Sequence, residues 1–119
     1  MKKLSLLSSE KLVKVNKLIL DKMDSSIPLI KEIAEYILLS GGKRIRPLLA
    51  LASAKLLNYK GNDKDVCLAT AVELIHTATL LHDDVVDKSK KRRNKLTANN
   101  IWGNEASILV GDFLFSRAF

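Results

Sequence analysis

Cysteine, proline and glycine are all scarce: the 119 residues include one Cys, two Pro and five Gly. So few chain breakers leave little punctuation for a series of short strands, and helices are favoured. The lone Cys67 excludes an internal disulfide and gives no sign of an oxidising compartment. In its apolar surroundings it reads as a small buried hydrophobe. Long apolar runs are missing too: no stretch approaches the roughly 20 residues that cross a bilayer. The richest, Val66 to Leu81, is interrupted by Glu73 and His76. The basic start Met1-Lys2-Lys3 is not followed by the apolar run of a signal peptide. A cytoplasmic protein without a membrane span is expected.

What the chain does have is positive charge. Twenty basic residues against 13 acidic give a net charge of +7, a surface that attracts anions such as nucleic acid, anionic lipid or phosphorylated small molecules. Where the charges sit has to decide between them. The rest of the composition, 47% hydrophobic and 28% charged, is that of one small globular domain with a modest core.

Apolar spacing predicts five helices. In the first, Ser8 and Ser9 are candidate caps, followed by Leu12, Val15, Leu18 and Ile19 at helical spacing. Asp24-Ser25-Ser26 breaks the pattern, and Pro28 fits the first turn of a second helix with the stripe Ile30, Ile33, Ala34, Ile37 and Leu38. Ser40-Gly41-Gly42 ends it. A third helix is predicted from about Arg44 to Asn58, with Leu48 to Ala54 apolar nearly all round and so expected inside. A fourth runs from about Asp63 to Asp87, followed by a basic loop, Lys88 to Leu96. A fifth starts near Asn104 and is still apolar at Phe119, so the chain is expected to be cut off within a longer fold.

The fourth helix ends in three carboxylates: Asp83 and Asp87 share a face, and Asp84 is the next residue round. A helix C-terminus disfavours each by about 0.3–1 kcal/mol. Two unit charges about 4 Å apart repel by about 1 kcal/mol in water and about 4 kcal/mol at an effective dielectric of 20. A divalent cation would offset both, and an all-oxygen ligand set selects a hard ion such as magnesium, which takes one or two carboxylates plus substrate phosphates. The alternative is a solvated helix end neutralised by the lysines that follow.

Cations cluster in two places. Gly41-Gly42-Lys43-Arg44-Ile45-Arg46-Pro47 puts three at the start of the third helix, where the helix dipole favours an anion and arginine offers phosphate a planar fork. Lys88-Ser89-Lys90-Lys91-Arg92-Arg93-Asn94-Lys95 is the second cluster. Alone it resembles a nucleic-acid patch, but the adjacent aspartates would repel a polyanion and no aromatic residue interleaves it for base stacking. Acid beside base suits a metal–phosphate pair better. His76 and His82 read first as structural residues of an apolar helix.

Together these segments form a family pattern. Gly-Gly-Lys-Arg-Ile-Arg-Pro, the run Glu73 to Asp87, Arg92-Arg93, Trp102-Gly103-Asn104 and Gly111-Asp112-Phe113-Leu114 resemble the trans-isoprenyl diphosphate synthases, most of all the long-chain bacterial polyprenyl (octaprenyl-type) enzymes. The resemblance implies an all-α fold, residues 1–119 forming the amino-terminal helices of an isoprenoid-synthase bundle and lacking its carboxy-terminal half. It implies magnesium held by Asp83 and Asp87, with Asp84 in the same motif, bridging an allylic prenyl diphosphate that Arg92 also contacts. Lys43, Arg46, His76 and Arg93 would bind the diphosphate of isopentenyl diphosphate. Ala78 and Thr79, five and four residues before Asp83, would leave room for a long product, and Ala78→Phe would shorten it. A second aspartate-rich motif is absent, so these 119 residues are expected to be inactive alone, completed as a homodimeric longer enzyme or by a complementary carboxy-terminal chain. Asn94 and Leu96 stand where the family has glycine and proline; Asn tolerates positive φ. The rival readings are a non-catalytic prenyl-synthase-like subunit and a basic nucleic-acid-binding helical protein.

Overall fold

The computed structural model describes residues 9–39, 44–57, 63–92 and 94–118. Among them are helices α1 (Ser9–Met23), α2 (Pro28–Leu39), α3 (Ile45–Leu56) and α4 (Lys64–Val86), a minimal hairpin of β1 (Lys91–Arg92) and β2 (Lys95–Leu96), then α5 (Ala98–Trp102) and α6 (Asn104–Ala118). The architecture is all-α, as the spacing predicts. The predicted break at Ser40-Gly41-Gly42 and the cap Ser8 lie outside the described residues, as do residues 58–62, Lys43 and Arg93.

The long α4 is the axis of the fold. It packs against α6, α3 and α1, while α2 packs against α6 and α5. One face of each helix supplies the core: Val15, Ile19 and Met23 from α1, Ile30, Ile33, Ala34 and Leu38 from α2, Leu51 from α3, Leu74, Ala78 and Leu81 from α4, Val110 and Leu114 from α6. The shortest dimension is 19 Å, about two helix diameters, so the fold is two layers deep and each helix keeps a side outside.

That thinness corrects two expectations. The middle of α3 is not enclosed: Pro47, Leu48, Leu51 and Ala52 are buried, but Leu49 is 52% exposed and Ser53 is exposed as well, because α3 is packed on the side of α4 and α1. Cys67 is exposed rather than buried. It shares the outer side of α4 with Leu68, while Val66, Ala69 and Thr70 take the inner side.

The segment 88–96, expected as a plain loop, contains the hairpin, with Lys91 paired to Leu96 and Arg92 to Lys95. Asn94 supplies the turn at φ 64°, the positive φ its side chain tolerates. The hairpin is tied down by Tyr36, whose hydroxyl donates to the Leu96 carbonyl at 2.6 Å and whose ring meets Trp102 edge-on at 5.1 Å. Behind it, Thr97 Oγ1 and Asn99 Nδ2 both donate to the Ser89 carbonyl, at 2.8 and 3.1 Å. The five-residue α5, also unforeseen, is set off from α6 by Gly103 at φ 93°.

Candidate diphosphate and metal site

The C-terminus of α4 is closed by a paired hydrogen-bond motif. Ser89 N–H donates to the Asp84 carbonyl at 2.9 Å and Lys88 N–H to the Val85 carbonyl at 3.2 Å, with Lys88 in the left-handed region at φ 55°. This turn satisfies the last carbonyls of the helix and sends the chain back toward it. The hairpin therefore returns Arg92 to the aspartates it left eight residues earlier.

The three aspartates divide. Asp83 and Asp87 are exposed, one turn apart, without an ion-pair partner among the described residues. Asp84 is 2% exposed and is grasped by Arg92, whose Nη2 donates to Oδ1 at 2.7 Å and whose Nε donates to Oδ2 at 3.3 Å. This fork is the main reason that the Arg92 guanidinium is held above even its ordinary pKa. Partial burial opposes it, and the fields of Asp84, Asp83 and Asp87 add to it. Arg92 stays cationic with one side chain edge outward, 38% exposed. Among the described residues no group of three or more His, Cys, Asp or Glu gathers as a metal cage. Two free carboxylates and a fixed cation fit a magnesium–diphosphate pair, in which phosphate oxygens and water complete the coordination.

Two turns back along the same face, Arg46 is exposed and its Nη1 donates to His76 Nε2 at 3.2 Å. The contact brings together two residues expected at one diphosphate, 30 positions apart in sequence. Arg44 behaves differently: Nη1 donates to Glu73 Oε1 at 3.1 Å and Nη2 to the Leu38 carbonyl at 3.0 Å. Sequence reasoning passed over the Arg44–Glu73 pair. Its one signal was a carboxylate three residues before His76 in an otherwise apolar stretch.

Ala78 and Thr79 do not share a surface. Ala78 is fully buried in the core. Thr79 is exposed on the side of Asp83, with Oγ1 donating back to the Ile75 carbonyl at 2.8 Å. His82, next to Asp83, lies against α6, where its Nε2 donates to the Ile108 carbonyl at 3.2 Å and is 3.4 Å from Asp112 Oδ1.

Known proteins resemble this chain along nearly its whole length. The octaprenyl diphosphate synthase of Escherichia coli is 49% identical over the whole of this chain, which spans 36% of that enzyme. A crystal structure of a decaprenyl diphosphate synthase from Rhodobacter capsulatus superposes with TM-score 0.95 at 50% identity, covering 99% of this chain and 36% of that one. A polyprenyl synthase from Caulobacter crescentus, crystallised with calcium and isoprenyl diphosphate, gives 0.94 at 52% identity over 99% of this chain and 36% of its own. The chain thus spans about a third of the length of these relatives. Residues 27–119 match the polyprenyl synthetase family. With its exposed aspartate pair and its cations sharing one side of α4, this chain belongs to the polyprenyl synthetase family.

Proposed function

We propose that this chain is the amino-terminal part of a long-chain polyprenyl diphosphate synthase, which condenses isopentenyl diphosphate with an allylic prenyl diphosphate. The observation that carries the reading is a pair of polar clusters along α4: Asp83, Asp87 and Arg92 at its end, Arg46 and His76 two turns below. Two diphosphates set side by side, one on each, are what a head-to-tail condensation needs. The likeness to octaprenyl and decaprenyl enzymes supports a long product.

Asp83 and Asp87 would hold magnesium, whose charge, when bound, stabilises the departing allylic diphosphate. Arg92, already oriented by Asp84, adds a fixed positive charge to the same leaving group. Arg46 and His76, with Lys43 and Arg93, orient isopentenyl diphosphate so that its double bond attacks the allylic carbon. The carbon–oxygen bond to diphosphate breaks, a carbon–carbon bond forms, and a proton is lost to the released diphosphate. The reaction needs water excluded from the cation. The exposed face of α4 carrying Leu68 and Thr79 would be one wall of that cavity, its other walls supplied by chain beyond these 119 residues.

The test is a magnesium-dependent condensation assay with labelled isopentenyl diphosphate and farnesyl diphosphate. It is run on this chain alone and on a fusion to the remaining two thirds of the Escherichia coli relative. Activity of the fusion and none of the chain alone is expected. An inactive fusion that folds with the relative's two thirds intact would refute a catalytic role and point to a non-catalytic subunit.

A further inference from the structure

Arg44 and Arg46 stand two residues apart at the head of α3 and reach α4 one helical turn apart, at Glu73 and His76. The two contacts differ in kind. The Arg44 and Glu73 side chains are 17% and 8% exposed and 3.1 Å apart, whereas Arg46 faces solvent. Arg44 also holds φ 54° and ψ 39°, a left-handed conformation that costs a non-glycine residue about 1–3 kcal/mol and persists only where its surroundings fix it. One guanidinium thereby joins the Leu38 carbonyl of α2, the head of α3 and the middle of α4.

We infer that Glu73 and Arg44 are positioning residues for the isopentenyl diphosphate site, fixing Arg46 and His76 without touching the ligand. The inference rests on the reading of Arg46 and His76 given above. A carboxylate in an apolar helix is costly unless paired, and Glu73 interrupts just such a helix beside an anion site it would otherwise repel. Arg44 cancels that charge and leaves Arg46 the outward cation. It also pins the backbone from which Arg46 projects, because only Ile45 separates them. On α4, Glu73 and His76 lie three residues apart on neighbouring positions of one face, so the strut and the contact it aligns share both supporting helices. A long flexible side chain loses affinity when its base is loose, since a misplacement of about 1 Å weakens a polar site severely.

The decisive variant is the double substitution Arg44→Met with Glu73→Met. It leaves the local net charge unchanged and replaces an ion pair by apolar groups of similar volume, an exchange that folds tolerate. Calorimetry on the purified chain would measure binding of isopentenyl diphosphate, and separately of farnesyl diphosphate with magnesium, alongside thermal melting. Expected is a fall of about tenfold in isopentenyl diphosphate affinity, unchanged farnesyl diphosphate affinity and a melting temperature close to the parent's. Undiminished isopentenyl diphosphate binding by the double variant overturns the inference and leaves the site reading standing. A parallel loss for both ligands with early melting also overturns it, because the pair would then be a strut of the fold alone. A parent chain whose isopentenyl diphosphate binding is absent, or indifferent to Arg46→Gln, removes the site reading and the inference with it.

Discussion

His82 of α4 occupies the space that a side chain at Gly111 of α6 would need. A Cβ on Gly111 would lie 2.6 Å from His82 Cδ2, and the imidazole is held there by the Ile108 carbonyl at 3.2 Å and the Phe115 ring at 5.6 Å. The absent side chain is what lets α6 approach α4 beside Asp83. Gly111→Ala is expected to push the ring out and lower stability by about 1–3 kcal/mol, the usual cost of overpacking. Urea unfolding measures it. His82→Ala in the same chain should recover part of the loss, and an equal penalty with and without His82 would show that the notch is not the cause.

The buried fork between Asp84 and Arg92 sets Asp84 apart from the exposed Asp83 and Asp87. Asp84→Asn should leave magnesium binding intact but weaken the hold on pyrophosphate, because Arg92 loses its orientation. Asp83→Asn and Asp87→Asn should each abolish magnesium-dependent pyrophosphate binding. Removing Arg92 leaves the buried Asp84 carboxylate without its ion-pair partner, costing about 3–5 kcal/mol. Calorimetric titration of pyrophosphate with and without magnesium distinguishes the three aspartates. Equal losses at all three would put Asp84 among the ligands.

At the start of α4, Asp63 accepts from Lys11 at 2.7 Å and from Lys14 at 3.1 Å. The Lys11 hydrogen bond, then that of Lys14, holds the Asp63 carboxyl below its usual range. The same Asp63 bond holds the Lys11 ammonium above its own. A depressed carboxylate contributes stability above its unfolded pKa and loses it as pH falls through the folded value. A raised ammonium contributes below its unfolded pKa and loses it as pH rises through the folded value. The tether therefore acts between about pH 4 and pH 10. Asp63→Asn, which tolerates the φ of 49° there, should melt slightly earlier than the parent in that window and alike in stronger acid. A difference that persists in strong acid would assign the effect to something other than this charge.

Product length gives a prediction that the structure redirects. Ala78→Phe, the natural first choice from sequence, places an aromatic ring in a fully buried position and should cost about 1–3 kcal/mol by overpacking. Thr79→Phe lies on the exposed side of α4 and should keep the fold. In the fusion enzyme it is expected to shorten the prenyl chain, read by chromatography of the dephosphorylated products. Unchanged lengths would remove Thr79 from chain-length control.

Much of the fold was legible because helices are local. Ile30, Ile33, Ala34 and Leu38 share a face by spacing alone, and that face is buried. Pro28 and the Asp24-Ser25-Ser26 break mark the junction of α1 and α2 as expected. The hairpin and α5 were not legible. Their form depends on Asn94 at positive φ and on contacts from Tyr36, 60 residues before Leu96.

The sequence by itself determined which chemical groups are present and which lie within one turn of each other. Three aspartates at a helix end, with cations just after them and at the head of α3, are facts of spacing, and spacing sets charge density and helical face. Only the tertiary structure decided which of those groups look outward. Asp84 turns in because Arg92 comes back to meet it, Arg44 turns in because Glu73 waits on a helix 29 residues later, and Cys67 turns out because α4 buries its Val66, Ala69 and Thr70 side. A helix fixes its own periodicity, but which face is buried depends on partners distant in the chain, and no local rule contains them.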